Sequence, residues 1–282
     1  MTNPDNARTW FITGTSSGFG RLLAEEVLKA GGKVAATARN ISQIADLERD
    51  YPGRARAIAL DVTHKAQIQT AVEQALEEFG HIDVLVNNAG YGLIGAVEEV
   101  SDEEIRRQVD TNVYGVLNVT RALLPHMRAR KSGHIINLSS ILGVTVTPGF
   151  TLYSLTKFAV EGFSEGLAQE LAPLGVKVTI IEPGPFRTKF AGGSETITKT
   201  EIPDYAPTAG KAREYIRSID GTQKGDPLRA VHAIMQVVES PNPPLRLLLG
   251  SVAFARFNTK MQMLEKNAAE WQAVTLAADF PD

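Results

Sequence analysis

The segment Thr13-Gly14-Thr15-Ser16-Ser17-Gly18-Phe19-Gly20 joins a short apolar run, Thr9–Thr13, to a pattern typical of a helix. Glycines at these spacings permit a tight turn and let backbone N–H groups approach the pyrophosphate of a dinucleotide at the helix N-terminus. The spacing alone is weak evidence, but a strand before it and a helix after it strengthen the prediction. We therefore expect cofactor contacts from Gly14, Thr15, Ser16, Ser17, Gly18, Phe19 and Gly20.

Apolar runs alternate with helical patterns along most of the chain. Six runs follow the first one, at Lys33–Ala38, Ala55–Leu60, Ile82–Val86, His134–Leu138, Val176–Ile181 and Leu245–Leu249. Near-continuous apolar runs are typical of parallel strands that are covered on both faces. The sequence therefore predicts an α/β fold in which a seven-stranded parallel sheet forms a single doubly wound Rossmann-type domain over residues 1–282. Ligands of such sheets bind at the carboxyl ends of the strands.

Two segments depart from this rhythm. Residues of about 189–226 include few large apolar side chains, apart from a short helical piece around Lys211–Ile219, and we expect them to form a substrate lid. Residues of about 251–271 form a predicted C-terminal helical tail that carries Phe254, Phe257 and Trp271. The tail has two possible roles, covering the edge of the last strand or covering the mouth of the pocket.

The composition excludes several classes of protein. Among the 282 residues 43% are hydrophobic and 22% charged, and the net charge is −3, so we expect a globular protein that binds no nucleic acid. The absence of cysteine excludes a thiol nucleophile, and the five histidines lack the spacing of helical metal ligands, so we expect no metal. With no apolar run long enough for a membrane span and no signal-peptide pattern, the default expectation is a cytoplasmic protein with a small-molecule substrate.

Arg39 follows the second predicted strand, where many dinucleotide-binding folds carry an acidic residue that binds the adenosine ribose. The nearest acidic residue downstream is Asp46. A carboxylate repels a 2′-phosphate, whereas a guanidinium binds it through two hydrogen bonds. The sequence thus favours NADP(H) over NAD; the alternative is that Arg39 is simply solvated.

Small and polar residues follow three other strands at the same predicted edge. Asp61-Val62 follows the third strand, Asn87-Asn88-Ala89-Gly90 ends the fourth, and Pro183-Gly184-Pro185-Phe186-Arg187-Thr188 follows the sixth. An aspartate there can accept a hydrogen bond from an exocyclic amine, and small residues leave room for a flat ring. Each segment is also an ordinary turn sequence, so their common position carries the prediction.

Tyr153 and Lys157 lie four residues apart in a predicted helix and therefore share one face. A nearby ammonium is expected to lower the pKa of a phenol from about 10, which would make Tyr153 a usable proton donor. Ser140, at the end of the fifth strand, can donate a hydrogen bond to the same substrate oxygen. Asn112 interrupts an apolar helical stripe, where it either anchors a water that leads to Lys157 or makes a structural hydrogen bond to backbone.

These motifs, in this order, resemble the short-chain dehydrogenase/reductase superfamily over residues 9–250, most of all its hydroxysteroid- and retinol-dehydrogenase-type members. TGxxxGxG corresponds to Thr13–Gly20, NNAG to Asn87–Gly90, NxxG to Asn112–Gly115 and YxxxK to Tyr153–Lys157, with Ser140 between them. The resemblance implies a catalytic tetrad of Asn112, Ser140, Tyr153 and Lys157.

The resemblance also implies a role for each residue. Tyr153 would transfer the proton, Ser140 would orient the carbonyl, Lys157 would lower the Tyr153 pKa and hold the nicotinamide ribose, and Asn112 would position a relay water. Asp61 and Val62 would border the adenine, Asn88, Ala89 and Gly90 the nicotinamide, and the turn with Pro183, Gly184, Phe186 and Thr188 the carboxamide. Family members associate through helices like those around 101–127 and 152–172, which implies a homodimer or homotetramer.

The implied reaction is hydride transfer between NADP(H) and a carbonyl or secondary alcohol, as in a ketoreductase or alcohol dehydrogenase. Predicted pocket walls are Tyr91, Leu93, Ile94, Ile141, Leu142, Phe150, Phe186 and Phe190. This lining predicts a lipophilic substrate, although some of these residues could instead belong to the core. Phe186 departs from the smaller aliphatic residue of many members and would narrow the pocket.

Two alternatives share part of this pattern. A sugar-nucleotide epimerase shares the Tyr/Lys pair, but its glycine spacing differs and too little chain remains here for its larger substrate domain. A non-catalytic NADP(H)-sensing protein would keep the glycine turn and lose the tetrad, whereas this chain retains all four residues. The sensing protein stays the main alternative, distinguished by cofactor binding without turnover.

Overall fold

The computed structural model describes residues 7–190 and 195–280. The strands in these residues are β1 (Thr9–Ile12), β2 (Lys33–Ala38), β3 (Ala55–Ala59), β4 (Val84–Asn87), β5 (Gly92–Ile94), β6 (Gly133–Leu138), β7 (Val176–Pro183), β8 (Glu195–Ile197) and β9 (Arg246–Leu249). The α-helices are α1 (Gly18–Lys29), α2 (Ala45–Asp50), α3 (Lys65–Phe79), α4 (Asp102–Val109), α5 (Gly115–Arg130), α6 (Thr151–Leu171), α7 (Lys211–Ser218), α8 (Pro227–Glu239), α9 (Ser251–Glu270) and α10 (Gln272–Leu276).

Seven of the strands form one parallel sheet in the order β3-β2-β1-β4-β6-β7-β9. β1 is central, and its Phe11 pairs with Ala35 of β2 on one side and with Leu85 of β4 on the other. The strand order therefore reverses between β1 and β4, which places a crevice at their carboxyl ends. The predicted doubly wound seven-stranded sheet is confirmed, with strand boundaries shifted by one or two residues.

Helices cover both faces of the sheet, which explains why the strands are apolar without alternation. Trp10 and Ile12 face a layer that includes Val27 of α1 and Val231 of α8. Phe11 points to the opposite layer, formed by α3, α5 and α6. Both layers are fully buried at the centre of the sheet, so the loops at the strand ends rest on a rigid base.

The segment predicted as a lid has more regular structure than its composition suggests. It contributes β8, which pairs with β5 in a small parallel sheet that the sequence did not predict. It also contains a 3₁₀ turn at Pro203–Tyr205, a π turn at Ala206–Gly210 and the predicted helix, α7. Residues 191–194 of the predicted lid lie outside the described residues.

The predicted tail is helical, as α9 and α10. Its first turns lie against the body, where Ala253 is buried and Arg256 Nη2 donates 2.8 Å to Thr147 Oγ1. Of the apolar side chains predicted to cover a strand edge or a pocket mouth, Phe257 is half-buried, whereas Phe254 is 60% and Trp271 64% exposed. Within the part of the chain that the structure describes, the helices lack the length and apolar content of a membrane span.

A π turn, Asp110–Tyr114, joins α4 to α5 within the apolar stripe that Asn112 interrupts. Such turns insert one extra residue and are frequent at functional sites. α5 then begins at Gly115, where a Cβ atom would lie 2.7 Å from Val62 Cγ2. The close packing of α5 on Val62 therefore requires glycine at this position.

We expect Gly115→Ala to lower the free energy of unfolding by about 1–3 kcal/mol, because the new methyl group overlaps Val62. The matched control is Gly162→Ala in α6, where a Cβ would meet no atom within 4 Å. Alanine there should raise the free energy of unfolding by roughly 0.5–1 kcal/mol through helix propensity. Urea denaturation measures both, and equal effects of the two substitutions would contradict this packing.

Candidate active site

Asn88 joins the end of β4 to the glycine-rich turn after β1. Its Nδ2 donates to Thr13 O at 2.8 Å and to Gly14 O at 3.0 Å. A Cβ at Gly20 would lie 2.4 Å from both Asn88 Nδ2 and Gly14 O, so the third glycine of the motif is required by this contact. The turn is therefore shaped by Asn88 as well as by its own glycines.

The threonines of the turn support it from inside. Thr13 Oγ1 accepts from the backbone N–H groups of Asn88 at 2.9 Å and Ala89 at 3.0 Å. Thr15 is buried, and its hydroxyl donates to Thr37 O of β2 at 3.0 Å. The hydroxyl proton of Thr15 is thus used within the protein and is not free to bind a ligand. Ser16 is exposed and Ser17 precedes α1 without capping it, which leaves the first-turn N–H groups of α1 for an anionic ligand.

Arg39 is exposed beyond the end of β2, and its guanidinium makes no hydrogen bond or ion pair with any residue in the described ranges. The nearest downstream acid, Asp46, is occupied by Arg21, whose Nη1 lies 2.9 Å from Asp46 Oδ1. Partial burial acts to raise the pKa of Asp61, but hydrogen bonds from Thr63 and the nearby charges, including Arg39, outweigh it and lower this pKa. Arg39 and Asp61 therefore lie on the same side of the crevice.

Tyr153 and Lys157 project from α6 into the crevice that the glycine turn borders. They are 6% and 7% exposed, and Lys157 Nζ lies 5.7 Å from the centroid of the Tyr153 ring. Nζ donates to Leu138 O at 2.6 Å. It is also close to the segment after β4, since a Cβ built on Gly90 would lie 3.8 Å from it. The pair thus has the orientation that the sequence predicted.

The pKa values of the pair differ from the sequence-based expectation. Burial raises the pKa of Tyr153 above its usual value, and only the hydrogen bond with Ser140 opposes the rise. Burial also lowers the pKa of Lys157 to about 8, against the charge of Glu161. Desolvation disfavours both charged forms and exceeds the attraction of the ammonium for a phenolate. The expected lowering of the Tyr153 pKa therefore does not come from Lys157 in the protein alone.

Ser140 precedes the 3₁₀ turn Ile141–Gly143, and its Oγ accepts from Leu142 N at 3.0 Å. Because that bond uses a lone pair of the hydroxyl oxygen, the hydroxyl proton stays available for donation toward the crevice. Ser140 is also the group that opposes the rise in the pKa of Tyr153. Its position beside Tyr153 matches the position that the sequence predicted.

Asn112 has the structural role that the sequence left open as one alternative. Its Oδ1 accepts from Tyr91 N at 3.1 Å, and its Nδ2 donates to Tyr91 O at 2.9 Å and to Thr156 Oγ1 at 3.1 Å. Both amide protons are therefore used within the protein. The side chain thereby fixes the backbone of Tyr91 against α6.

An apolar cluster packs around Tyr153. Three predicted wall residues that it contains are Leu142, Phe150 and Phe190, with Ile94 as the fourth, and the rings of Tyr153 and Phe190 lie 5.5 Å apart. The remaining members come from β5, β8 and the lid segment: Ile94, Ile197, Ala212, Ile216 and Ile219. Of these, Ile94 was predicted, whereas the contribution of α7 was missed because the lid sequence alone gives no sign of where it packs.

Two of the predicted wall residues lie elsewhere. Leu93 is buried in a separate small cluster with Val100 and Leu152, because neighbouring residues of a strand point to opposite faces. Phe186 packs on Phe19 of α1, with 5.3 Å between the ring centroids, and belongs to the layer on that side of the sheet. Neither side chain belongs to the apolar cluster that packs around Tyr153.

The other predicted residues are near the crevice or at its edge. Ile141 is buried beside Ser140 without joining the cluster around Tyr153, and Tyr91 is half-buried and held by Asn112. The loop after β7 reaches the glycine turn, where a Cβ on Gly18 would lie 3.7 Å from Thr188 Cβ. Gly184 extends β7 by a backbone hydrogen bond to Leu249 O. The structure thus brings the segments after β1, β4, β6 and β7 to one edge.

A buried ion pair that the sequence did not reveal fastens the lid segment. Arg213 of α7 donates to Glu99 at 2.8 Å and 3.3 Å, and both side chains are almost fully buried. Glu99 also accepts from Ala96 N and Ile202 N. These bonds and the charge of Arg213 hold the pKa of Glu99 at about 2, against the effect of its burial. The pair lies 114 residues apart in the chain, so no local pattern indicates it.

We expect Glu99→Gln to lower the free energy of unfolding by about 3 kcal/mol near pH 6, because it leaves the Arg213 charge buried with only a distant partner. The pKa of Glu99 in the folded chain, about 2, is below the ordinary 4.5, so its stabilisation is present above that value and lost as pH falls toward 2. The difference between wild type and variant should therefore shrink by pH 3.

Urea denaturation at both pH values measures this difference. Glu98→Gln is the matched control, because Glu98 is exposed and accepts only a surface hydrogen bond from Tyr205. Parallel pH profiles for wild type and Glu99→Gln would contradict the role of Glu99.

Similar proteins are known by sequence. A family model described as short chain dehydrogenase matches residues 8–197. Oxidoreductase BOA17 of Botryotinia fuckeliana is 39% identical over 273 residues, which cover 96% of this chain and 99% of that protein. The 3-ketodihydrosphingosine reductase of Bacteroides thetaiotaomicron is 38% identical over 268 residues, which cover 92% of this chain and 94% of that protein.

Solved structures of dehydrogenases and reductases are also similar to this chain. The crystal structure of a short-chain dehydrogenase from Streptomyces avermitilis is 42% identical, with a TM-score of 0.91 over 97% of this chain and 100% of that one. The 3-ketoacyl-(acyl-carrier-protein) reductase of Brucella melitensis, complexed with NADH, is 29% identical, with a TM-score of 0.71 over 86% of this chain and 96% of that one. A serine dehydrogenase complexed with NADP⁺ is 30% identical, with a TM-score of 0.74 over 86% and 94%.

Proposed function

This chain belongs to the short-chain dehydrogenase family, and we propose that it is an NADP(H)-dependent oxidoreductase acting on a lipophilic carbonyl or secondary alcohol. The observation that carries the proposal is the burial of Tyr153 and Lys157 side by side at the edge of the sheet where the glycine turn lies. Such a pair can donate and accept a proton, and the glycine turn can bind the pyrophosphate of a dinucleotide. Together they supply the protein's share of a hydride-transfer reaction.

The residues around the crevice fit a nicotinamide dinucleotide. A side chain at Gly20 would overlap Asn88 and Gly14 O, so this glycine lets the turn pack closely, as the third glycine of a dinucleotide-binding turn does. The first turn of α1 contains no acidic residue that would repel it. Solved relatives with 29% and 30% identity hold NADH and NADP⁺ respectively, which supports a nicotinamide cofactor of either kind.

The preference for NADP(H) rests on Arg39. Its guanidinium is exposed at the end of β2, where the adenosine ribose lies in Rossmann-type folds. Asp46, which would repel a 2′-phosphate if it were free, is neutralised by Arg21. Arg39 therefore offers a guanidinium that Asp46 does not pair with, as binding of a phosphate requires.

NADPH, when bound, supplies the hydride for carbonyl reduction, and the chain's residues manage the proton and the geometry. The Tyr153 hydroxyl donates its proton to the carbonyl oxygen, and the phenolate left behind is stabilised by the Lys157 ammonium. Ser140 donates a hydrogen bond to the same oxygen. Asn112 holds Tyr91 against α6 and so keeps the crevice in shape. The reverse order of steps oxidises an alcohol.

The apolar cluster around Tyr153 supports a lipophilic substrate. Phe150, Phe190 and Ile216 belong to the cluster that packs with Tyr153, and the lid segment contributes a large share of its members. One relative of 38% identity is named for the reduction of 3-ketodihydrosphingosine. We therefore favour a ketone carried on an apolar chain as the substrate class.

We further propose that the chain associates with itself through α5 and α6. Leu155 and Phe158 of α6 are exposed large apolar residues, as is Tyr114 just before α5. Apolar side chains grouped on neighbouring helices are typical of subunit interfaces. These are the helices through which the sequence led us to expect a homodimer or homotetramer.

We expect NADPH to bind at least tenfold more tightly than NADH, because Arg39 is positioned for the 2′-phosphate. Arg39→Gln should remove most of this preference by weakening NADPH and leaving NADH unchanged. Arg49→Gln is the matched control, since Arg49 is an exposed arginine paired with Asp50. Fluorescence titration measures the affinities, and equal affinities of the wild type for the two cofactors would refute the preference.

We expect Tyr153→Phe to reduce kcat by at least about 10²-fold, because it removes the proton donor, while NADPH affinity stays within a factor of about three. Tyr215→Phe, at an exposed tyrosine of α7, is the control. The assay follows NADPH oxidation with aldehydes, steroids, β-ketoesters and quinones. Full activity of Tyr153→Phe would overturn the role of Tyr153, and NADPH binding without turnover of any compound would indicate the sensing protein instead.

A further inference from the structure

A buried polar cluster lies behind Lys157, and the proposed reaction does not use it. Glu161 is one helical turn after Lys157 in α6, Glu182 is near the end of β7, and Arg246 begins β9. Glu161 is 4% exposed and Glu182 is 0% exposed. Charged side chains are seldom buried this deeply unless they are paired.

One guanidinium serves both buried carboxylates. Arg246 Nη1 donates to Glu161 Oε2 and to Glu182 Oε1, the latter at 2.5 Å. Its Nη2 donates to Glu165 Oε1 at 2.9 Å, and Glu165 is half exposed to solvent. The cluster thus extends from Glu161, one helical turn after the buried Lys157, to the surface at Glu165.

The two buried carboxylates share one guanidinium, and some of their oxygen atoms are left unpaired. Among the described residues Glu161 Oε1, Glu182 Oε2 and Ser139 Oγ have no hydrogen-bond partner. Glu161 Oε1 and Ser139 Oγ converge, since a Cβ built on Gly143 would lie 2.8 Å from the first and 2.5 Å from the second. Two carboxylates that share one cation in a buried site do not both ionise at low cost. The ionisation of Glu161 is therefore opposed by its own surroundings.

The pKa of Glu161 follows from these neighbours. Burial raises it to about 7, and the charge of Glu182 acts in the same direction, while Ser139 and Arg246 oppose the rise. The titratable and charged groups that face Glu161 are Lys157 and Glu165 from α6, Glu182 from β7 and Arg246 from β9. Glu161 is also the charge that opposes the desolvation of Lys157.

We infer that Glu161 is a positioning residue, whose ionisation sets the pH at which Lys157 loses its proton. The inference rests on the proposed function of the Tyr153–Lys157 pair. An ionised Glu161 holds Lys157 as the ammonium that the Tyr153 phenolate needs. When Glu161 takes up a proton, the ammonium loses its counter-charge. Glu182 acts in the opposite sense, because it competes with Glu161 for Arg246.

Two substitutions should move the pH at which Lys157 titrates in opposite directions, and a third serves as a control. Glu161→Gln removes the counter-charge, so Lys157 should titrate at lower pH. Glu182→Gln relieves the competition and leaves Glu161 more fully ionised, so Lys157 should titrate at higher pH. Glu165→Gln is the matched control, because it removes a carboxylate that contacts the same guanidinium at the exposed end of the cluster.

The experiment is an NMR titration of the full chain with ¹³C-labelled lysine side chains, in which the Lys157 signal is assigned by its loss in Lys157→Arg. The wild-type midpoint should lie near 8. Loss of the Glu161 charge in Glu161→Gln should shift it downward by about half a unit or more. Glu182→Gln should shift it upward by much less, because a Glu161 with a pKa of about 7 is already mostly ionised at pH 8. Glu165→Gln should shift it by less than about 0.2 unit, because solvent screens that charge.

The outcomes separate this inference from a structural role and from the proposed function. A merely structural Glu161 would change stability and leave the midpoint where it is, and equal midpoints or shifts of the same sign would overturn the inference. If Glu161→Gln does not fold, Glu182→Gln and Ser139→Ala decide, with an upward and a downward shift expected. The titration needs no turnover, so the expected shifts in a chain that reduces no carbonyl would reject the proposed function alone.

Discussion

The two hydrogen bonds from the Asn88 amide to Thr13 O and Gly14 O are the junction on which the crevice depends. They tie the end of β4 to the turn after β1, at the place where the strand order reverses. Because the amide occupies the space beside Gly20, the turn cannot relax into another shape. Ala89 and Gly90 follow directly and bring the chain beside Lys157. The Asn88 amide therefore fixes the position of the glycine turn relative to Tyr153 and Lys157.

Burial dominates the electrostatics of the site. It raises the pKa of Tyr153 and lowers the pKa of Lys157, so within the protein alone both groups favour their neutral forms. A phenolate at Tyr153 is then favoured by the Ser140 hydroxyl and by Lys157 when it keeps its proton. Glu161 acquires a role from this, because it is the buried carboxylate whose charge acts on Lys157. In this account the site works through competition between desolvation and a small number of buried charges.

The sequence was sufficient for the fold and for the centre of the site. The strands are apolar because both of their faces are covered, and the Tyr153–Lys157 spacing places both side chains on one helical face, so local patterns carry these features. Local patterns do not predict the hydrogen-bond partners of Asn112, because its side chain bonds to the backbone of Tyr91 on another segment. They also do not distinguish Phe186 from Phe190. Both are aromatic residues of one loop, yet they pack in different clusters.

The lid shows the same limit more clearly. Its packing depends on a salt bridge between Glu99 and Arg213 and on contacts of α7 with the cluster around Tyr153, all of them distant in the chain. Composition predicted a substrate lid, but it did not indicate the buried ion pair that fastens this segment to the core. The apolar surface around Tyr153 is therefore a product of tertiary structure, and the substrate class rests on the structure more than on the sequence.

The most direct test of the account is to follow deuterium from NADPH labelled at C4 of the nicotinamide into the product of a lipophilic ketone, by mass spectrometry. The account expects one deuterium on the former carbonyl carbon for one of the two labelled epimers of NADPH, and none when Tyr153 is replaced by Phe. Tight binding of NADPH with no deuterium in any product, across the range of ketones and with either epimer, would contradict it.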